Sequence, residues 1–236
     1  GNASDNVLTG NSAANALTGL AGNDTYVIGA GDTVVEAAGG GTDTVISGLT
    51  HSLTANVDNL TLVGFSAASG TGNALDNVLN GLLNLGGNIL TGGAGNDTYI
   101  IGAGDTVVEV AGNGTDTVQS ILTHTLGANV ENLTLTGIGA VNGTGNSVNN
   151  QLTGNSANNV LSGANGNDTL RGGLGNDTVN GGSGNDTFLF GRGDGQDLVR
   201  DNSGNADKIL YDAGINPLDL VISRQVNDLR IAIHGS

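Results

Sequence analysis

The sequence predicts an all-β chain folded as a right-handed parallel β-roll, or β-solenoid, with a C-terminal antiparallel capping segment. Three observations carry that expectation: 43 glycines against one proline in 236 residues, a long internal repeat at a constant offset of 73, and a finer period of nine with an apolar residue at a fixed place. Glycine this abundant without proline excludes collagen and an ordinary disordered linker. Cys, Met and Trp are absent and aromatics make up 3%, so neither disulfides nor a large aromatic core can hold the chain.

The long repeat is explicit. Leu17 to Glu36 (LTGLAGNDTYVIGAGDTVVE) returns as Leu90 to Glu109 (LTGGAGNDTYIIGAGDTVVE), Thr42 to Val45 returns as Thr115 to Val118, and Asn59 to Leu62 returns as Asn132 to Leu135. Inside it runs the nonapeptide: blocks open at Gly145, Gly154, Gly163, Gly172 and Gly181, the last three being GANGNDTLR, GGLGNDTVN and GGSGNDTFL, with similar blocks at Gly1, Gly10, Gly19, Gly72 and Gly92. The eighth position is apolar in Leu17, Tyr26, Leu161, Leu170, Val179 and Phe188. A Thr before that residue favours a short strand, and the Gly-rich hexapeptide supplies the positive-φ turn. Each nonapeptide is half a coil. Two make an 18-residue turn with parallel strands about 4.8 Å apart, so residues 18 apart stack.

Stacking has an electrostatic consequence. Asp168 and Asp186 lie 18 apart on one edge and Asp177 on the other. Carboxylates brought that close raise one another's pKa unless a cation sits between them, and a hard cation with oxygen ligands resolves the conflict. The turns AGGGTD (38–43) and AGNGTD (111–116) place Asp24 above Asp43 and Asp97 above Asp116, while Asp32 and Asp105 fall on the opposite edge without an obvious partner. At Asn6, Asn15, Asn77, Asn150 and Asn159 the acid is replaced by an amide, a weaker ligand, and an amide ladder is expected there.

The pattern GGxGxDxUx, three times in tandem over Gly163 to Leu189 and again at Gly19 to Val27 and Gly92 to Ile100, resembles the RTX (repeats-in-toxin, haemolysin-type) calcium-binding repeat family. The resemblance implies several Ca²⁺ ions, with carbonyls from the second and fourth positions of an earlier loop and the first and third of a later one. Four ligand sets follow: Ala164, Gly166 and Asp168 with Gly181, Ser183 and Asp186; Gly173, Gly175 and Asp177 with Gly191, Gly193 and Asp197; Leu20, Gly22 and Asp24 with Ala38, Gly40 and Asp43; and Gly93, Gly95 and Asp97 with Ala111, Asn113 and Asp116. The second is the least regular, because GRGDGQD is longer than the motif.

Other features carry less. Arg192-Gly193-Asp194 spells a cell-attachment tripeptide but fits the last metal loop, and the Asn-Asp-Thr glycosylation triplets are explained by turn geometry. His51, His124 and His234 have no second ligand nearby and fit polar strand positions. No nucleophile, base and orienting acid cluster, the dinucleotide fingerprint is not met, and no phosphate-loop Lys exists, so no enzyme activity is expected. The net charge of −16, from 6 basic and 22 acidic residues, opposes nucleic acid and anionic lipid and favours cations as partners. No stretch approaches the roughly 20 apolar residues of a membrane span, and Gly1 to Gly10 is polar, unlike a signal peptide.

The organisation expected is an elongated roll over 1–196 and a flanking cap over 197–236, in which Lys208 to Tyr211, Leu218 to Ser223 and Leu229 to Ile233 form strands, Asn227-Asp228 lies near a turn and Pro217 suits a cap. A chain starting on a repeat boundary and stopping just after a strand is expected to be part of a longer one. The function expected is a calcium-binding structural module of a secreted, extracellular or cell-surface bacterial protein. Its folding would be coupled to external Ca²⁺, and the resemblance adds type I secretion. The alternatives are an accessory module of an extracellular protease, lipase or polysaccharide-modifying enzyme, and a polysaccharide or adhesion recognition module.

Overall fold

The computed structural model describes residues 1–201, 206–216, 219–225 and 228–233; Pro217, Leu218, Asn227 and His234 lie outside them. The described residues contain no α-helix, and none of them forms a helix long and apolar enough to cross a membrane. The architecture is an all-strand parallel β-solenoid in which successive half-coils alternate between two sheets. Contacts divide the chain into two compact units, Gly1–Thr117 and Val118–Ser236.

In the first unit, one sheet takes β1 (Val7–Thr9), β3 (Thr25–Ile28), β5 (Thr44–Ser47), β7 (Asn59–Leu62), β9 (Val78–Asn80) and β11 (Thr98–Ile101), each parallel to the next. The facing strands are β2 (Ala16–Thr18) with β4 (Thr33–Val35), and β6 (His51–Ser52), β8 (Ser69–Thr71), β10 (Ile89–Thr91) and β12 (Thr106–Val108). The register aligns the motif's apolar position into one column, Leu8, Tyr26, Val45, Leu60, Leu79 and Tyr99. From Tyr26 to Tyr99 that column is fully buried. Strands need only two to four residues here because each contributes about one large side chain to a narrow core.

The second unit repeats the plan. After β13 (Thr117–Ser120), one sheet runs β15 (Asn132–Leu135), β17 (Gln151–Thr153), β19 (Thr169–Arg171), β21 (Thr187–Phe190) and β23 (Lys208–Tyr211), stacking Leu133, Leu152, Leu170, Phe188 and Ile209. The other runs β14 (His124–Thr125), β16 (Gly143–Thr144), β18 (Val160–Asn165), β20 (Thr178–Ser183) and β22 (Gln196–Arg200). The parallel ladders therefore continue through residues 196–211. The antiparallel segment is made by β25 (Asp228–Ile233), which pairs with β22 and with β24 (Leu220–Gln225). It covers the ladder that β22 would otherwise leave open.

Candidate metal centre

The turns are positioned by the strands that follow them. Because Thr25 pairs with Thr44 and Thr169 with Thr187, the Asp before each Thr is carried onto its counterpart in the next coil. All four expected pairs meet, and in the same way. The amide of Asp24 donates to Asp43 Oδ1, that of Asp97 to Asp116 Oδ1, that of Asp168 to Asp186 Oδ1 and that of Asp177 to Asp197 Oδ1, each at 2.8 Å. One carboxylate oxygen is thus consumed by the fold.

The other oxygen is left over. Oδ2 of Asp24, Asp43, Asp97, Asp168, Asp177 and Asp186 is buried and has no hydrogen-bond partner. Burying a carboxylate oxygen without a donor is costly. Burial, reinforced by the neighbouring carboxylate, pushes Asp97, Asp168 and Asp177 up to about 6 and Asp197 to about 7.

The Asn turns show what satisfaction looks like. Asn150 Oδ1 accepts the amide of Asn146 at 2.7 Å, and its Nδ2 donates to the carbonyls of Val130 and Glu131, both at 3.1 Å. Asn77 does the same with the amide of Asn73 and the carbonyl of Asp58. The amide ladder expected here does not form at Asn77, Asn150 or Asn159, whose Nδ2 groups donate to backbone carbonyls of the preceding coil. An Asn ladder runs instead one residue earlier, where Asn149 Oδ1 accepts from Asn167 and Asn167 Oδ1 from Asn185, each at 2.8 Å.

A backbone flip separates the two kinds of turn. In the Asp turns the second position lies at positive φ: 86° at Leu20, 109° at Gly93, 80° at Ala164, 95° at Gly173 and 103° at Gly182. Leu20 and Ala164 adopt this conformation against the roughly 1–2 kcal/mol preference of an L-residue. In the Asn turns that position's amide closes on the Asn side chain; in the Asp turns Oδ2 has no such partner. The Asp turns thus lack the internal donor that satisfies Asn77 and Asn150.

The expected carbonyls fall into three groups. Those of Leu20, Gly22, Gly95, Ala164, Gly166 and Gly175 lie against Gly40, Gly41, Gly114, Gly182, Gly184 and Gly195 of the next coil, so closely that a Cβ on any of those glycines would collide. The third-position carbonyls of Gly40, Asn113 and Ser183 accept the amides of Gly22, Gly95 and Gly166 at 2.7, 2.8 and 2.9 Å. Gly93 O accepts Asn113 Nδ2 at 2.8 Å, Gly181 O lies against Gly163, and Ala38 and Ala111 are exposed.

The last loop needs a correction. Gly195 stacks on Gly175 as Gly184 stacks on Gly166, which puts Arg192 and Asp194, not Gly191 and Gly193, at the first and third positions. The cause is the added length of GRGDGQD: Asp194 Oδ2 caps the amide of Gly191 at 2.5 Å, winding the extra residues into a turn. Asp32 and Asp105 act likewise on Gly29 and Gly102 at 2.7 and 2.8 Å, which is why they need no partner carboxylate. Arg192 is exposed but Asp194 is buried, so the tripeptide's carboxylate is not presented at the surface.

Sequence reasoning missed Glu36 and Glu109. Both are buried, and their carboxylate oxygens come within 4.8 Å of those of Asp24 and Asp43, and of Asp97 and Asp116. The signal was available, since each closes the 20-residue segment that recurs at offset 73. A third group, Asp186, Asp201 and Asp207, continues the ladder, with Asp207 Oδ1 accepting the amide of Asp186 at 2.9 Å. His51 and His124 begin β6 and β14, where burial lowers their pKa.

Fold and site together define a module of calcium-type repeats wound into a parallel solenoid. Residues 1–35, 144–179 and 162–197 match the family model described as RTX calcium-binding nonapeptide repeat (4 copies). Those stretches are RTX repeats. Gly92 to Ile100 falls outside them, yet its turn carries the same flipped second position, stacked Asp and unpartnered Oδ2. A comparison with curated proteins gives no match.

Proposed function

We propose that the chain is a structural module that binds several Ca²⁺ ions between successive coils and folds as it binds them. The reading rests on one observation: six buried Asp Oδ2 atoms have no partner, on turns whose Asn equivalents are fully satisfied. The residues fit a hard divalent ion, because carboxylate and carbonyl oxygens are its preferred ligands. Asp24 with Asp43, Asp97 with Asp116, Asp168 with Asp186 and Asp177 with Asp197 would hold the ions, joined by the loop carbonyls. A bound ion would supply charge neutralisation; the chain supplies the spacing that brings the carboxylates together.

Coupling to folding follows from the balance of terms. A large buried side chain contributes about 1.5–3 kcal/mol, against about 1–2 kcal/mol of backbone entropy for every residue ordered. One large side chain per half-coil of about nine residues does not cover that cost, and unpaired carboxylates add to the deficit, so metal and fold form together. Extracellular calcium modules bind at roughly 10⁻⁴–10⁻³ M, which suits a chain kept open in cytosol and closed outside the cell. A secreted or surface-located bacterial protein exported unfolded, with no catalysis of its own in this segment, is the setting that supports such a switch.

Circular dichroism during a Ca²⁺ titration tests this. The β signal should grow with Ca²⁺ and fall in chelator; a signal indifferent to both would overturn the reading.

A further inference from the structure

We infer that Asp24, Glu36 and Asp43, and their repeat equivalents Asp97, Glu109 and Asp116, form two three-carboxylate cation sites, chemically distinct from the two-carboxylate turns at Asp168–Asp186 and Asp177–Asp197, in which Tyr26 and Tyr99 position the glutamates. The inference rests on the calcium-binding reading and extends it to a residue type outside the nonapeptide.

The geometry at the first site converges on Gly19. A Cβ there would lie closer than 3.0 Å to Asp24 Oδ2, the Tyr26 hydroxyl and Glu36 Oε1 at once. All three atoms, and Asp43 Oδ2, are buried without a partner. Tyr26 is wholly inaccessible, and it is not an acid, so its orphaned hydroxyl is evidence separate from the carboxylate cluster. The glutamate arrives from the opposite sheet: Glu36 directly follows β4, whereas Asp24 and Asp43 precede β3 and β5.

The second site repeats the residues at offset 73, with Gly92 for Gly19, Tyr99 for Tyr26 and Glu109 for Glu36, and a Cβ on Gly92 would likewise meet Asp97 Oδ2 and the Tyr99 hydroxyl. Here the Tyr99 hydroxyl donates to Glu109 Oε1, which shows how the phenol aims the carboxylate. Three buried carboxylates within 4.8 Å repel strongly unless an ion of at least two positive charges joins them. Affinity in oxygen-ligand sites rises with the number of charged ligands, so these two sites should outbind the turns at Asp168–Asp186 and Asp177–Asp197. They also tie the two sheets together across the interior of each long repeat.

Terbium, a trivalent oxygen-seeking ion, is the probe for the full chain. The chain has three tyrosines and no tryptophan, so tyrosine-excited terbium emission reports an ion beside Tyr26, Tyr99 or Tyr211. The inference expects strong emission that calcium displaces, that the double variant Tyr26→Phe/Tyr99→Phe loses, and that Tyr211→Phe keeps. It further expects Glu36→Gln/Glu109→Gln to weaken the tightest calcium class by about ten-fold or more. Emission surviving the Tyr26→Phe/Tyr99→Phe change, or calcium affinity and stoichiometry untouched by the glutamine pair, would overturn it. Calcium binding lost in Asp168→Ala/Asp186→Ala but intact in the glutamine pair would discard this inference alone. No calcium binding by the unaltered chain would discard the general reading as well. Each single glutamine variant keeps the other repeat's site as an internal folding control.

Discussion

The amide of Asp168 donates to Oδ1 of Asp186 at 2.8 Å, while Oδ2 of both residues is buried with no donor in reach. The same carboxylate therefore serves as a rung of the solenoid and as half of a cation cradle. Structure and binding cannot be separated at this position by removing the side chain, but they can be separated by changing one atom.

Asp168→Asn makes that change. At Asn150 the amide Nδ2 donates to two carbonyls of the preceding coil, filling with a neutral donor the role left to a cation at Asp168. Asp168→Asn should bind one calcium ion fewer by calorimetry, yet retain more β signal in chelator than the parent chain. Asp168→Ala should lose the ion without that retention. Equal stoichiometry in Asp168→Asn and the parent chain would show that Oδ2 is not a ligand.

The metal-free chain should respond to pH against the usual direction. Asp97, Asp168 and Asp177 are held at about 6 and Glu109 and Asp197 at about 7 in the folded state, against roughly 4 for free carboxyls. Between those values the folded state binds more protons than the unfolded one, so stability falls as pH rises. This contribution is fully present below about pH 4 and is lost as the pH passes through 6 to 7. In chelator, the thermal midpoint should therefore be higher at pH 5 than at pH 7.5, and saturating calcium should remove the difference. A metal-free midpoint that rises with pH would contradict the burial of these groups.

Much of this was legible in the chain itself, because a repeat turns stacking into arithmetic. Asp168 above Asp186 follows from 18-residue spacing, and the inward column through Leu152 and Leu170 follows from the apolar eighth position. The last loop was not legible to the residue, since the extra length of GRGDGQD can be absorbed before or after Gly191, and only the Asp194 cap on Gly191 decides it. Glu36 recurs as Glu109 at offset 73, but the repeat alone does not say that it approaches the turn from the opposite sheet. The flip at Leu20 and Ala164 was hidden for another reason: neither residue type announces a left-handed backbone.

Gly70 should not tolerate a methyl group. It occupies an inward position of β8, in a column with His51, Leu90 and Val107, and a Cβ there would stand 2.9 Å from Leu60 Cδ2 and 3.2 Å from Leu90 Cδ2. The long repeat duplicates the arrangement at Gly143, between Leu133 and Leu161 at 2.8 and 3.1 Å. Gly70→Ala should destabilise the calcium-loaded fold by about 1–3 kcal/mol through overpacking, and Gly70→Ala/Leu90→Ala should recover part of that loss. Calcium-saturated denaturant unfolding measures both; a neutral Gly70→Ala would mean that the two leucines move aside.

Ala164 offers the opposite case, a residue whose replacement by glycine should strengthen the fold. Its φ of 80° carries the steric penalty of a left-handed L-residue, about 1–2 kcal/mol, while glycine adds roughly 0.5–1 kcal/mol of unfolded-state entropy. The difference favours Ala164→Gly by up to about 1 kcal/mol, and since the same flip leaves Asp168 Oδ2 bare, the gain should appear with calcium present. Leu20→Gly, which relieves φ of 86° at the equivalent turn, should act in the same direction without loss of core packing, because Leu20 is exposed. Thermal melts in saturating calcium decide it. A lower midpoint for both variants would show that these turns do not hold the flipped backbone when the ion is bound.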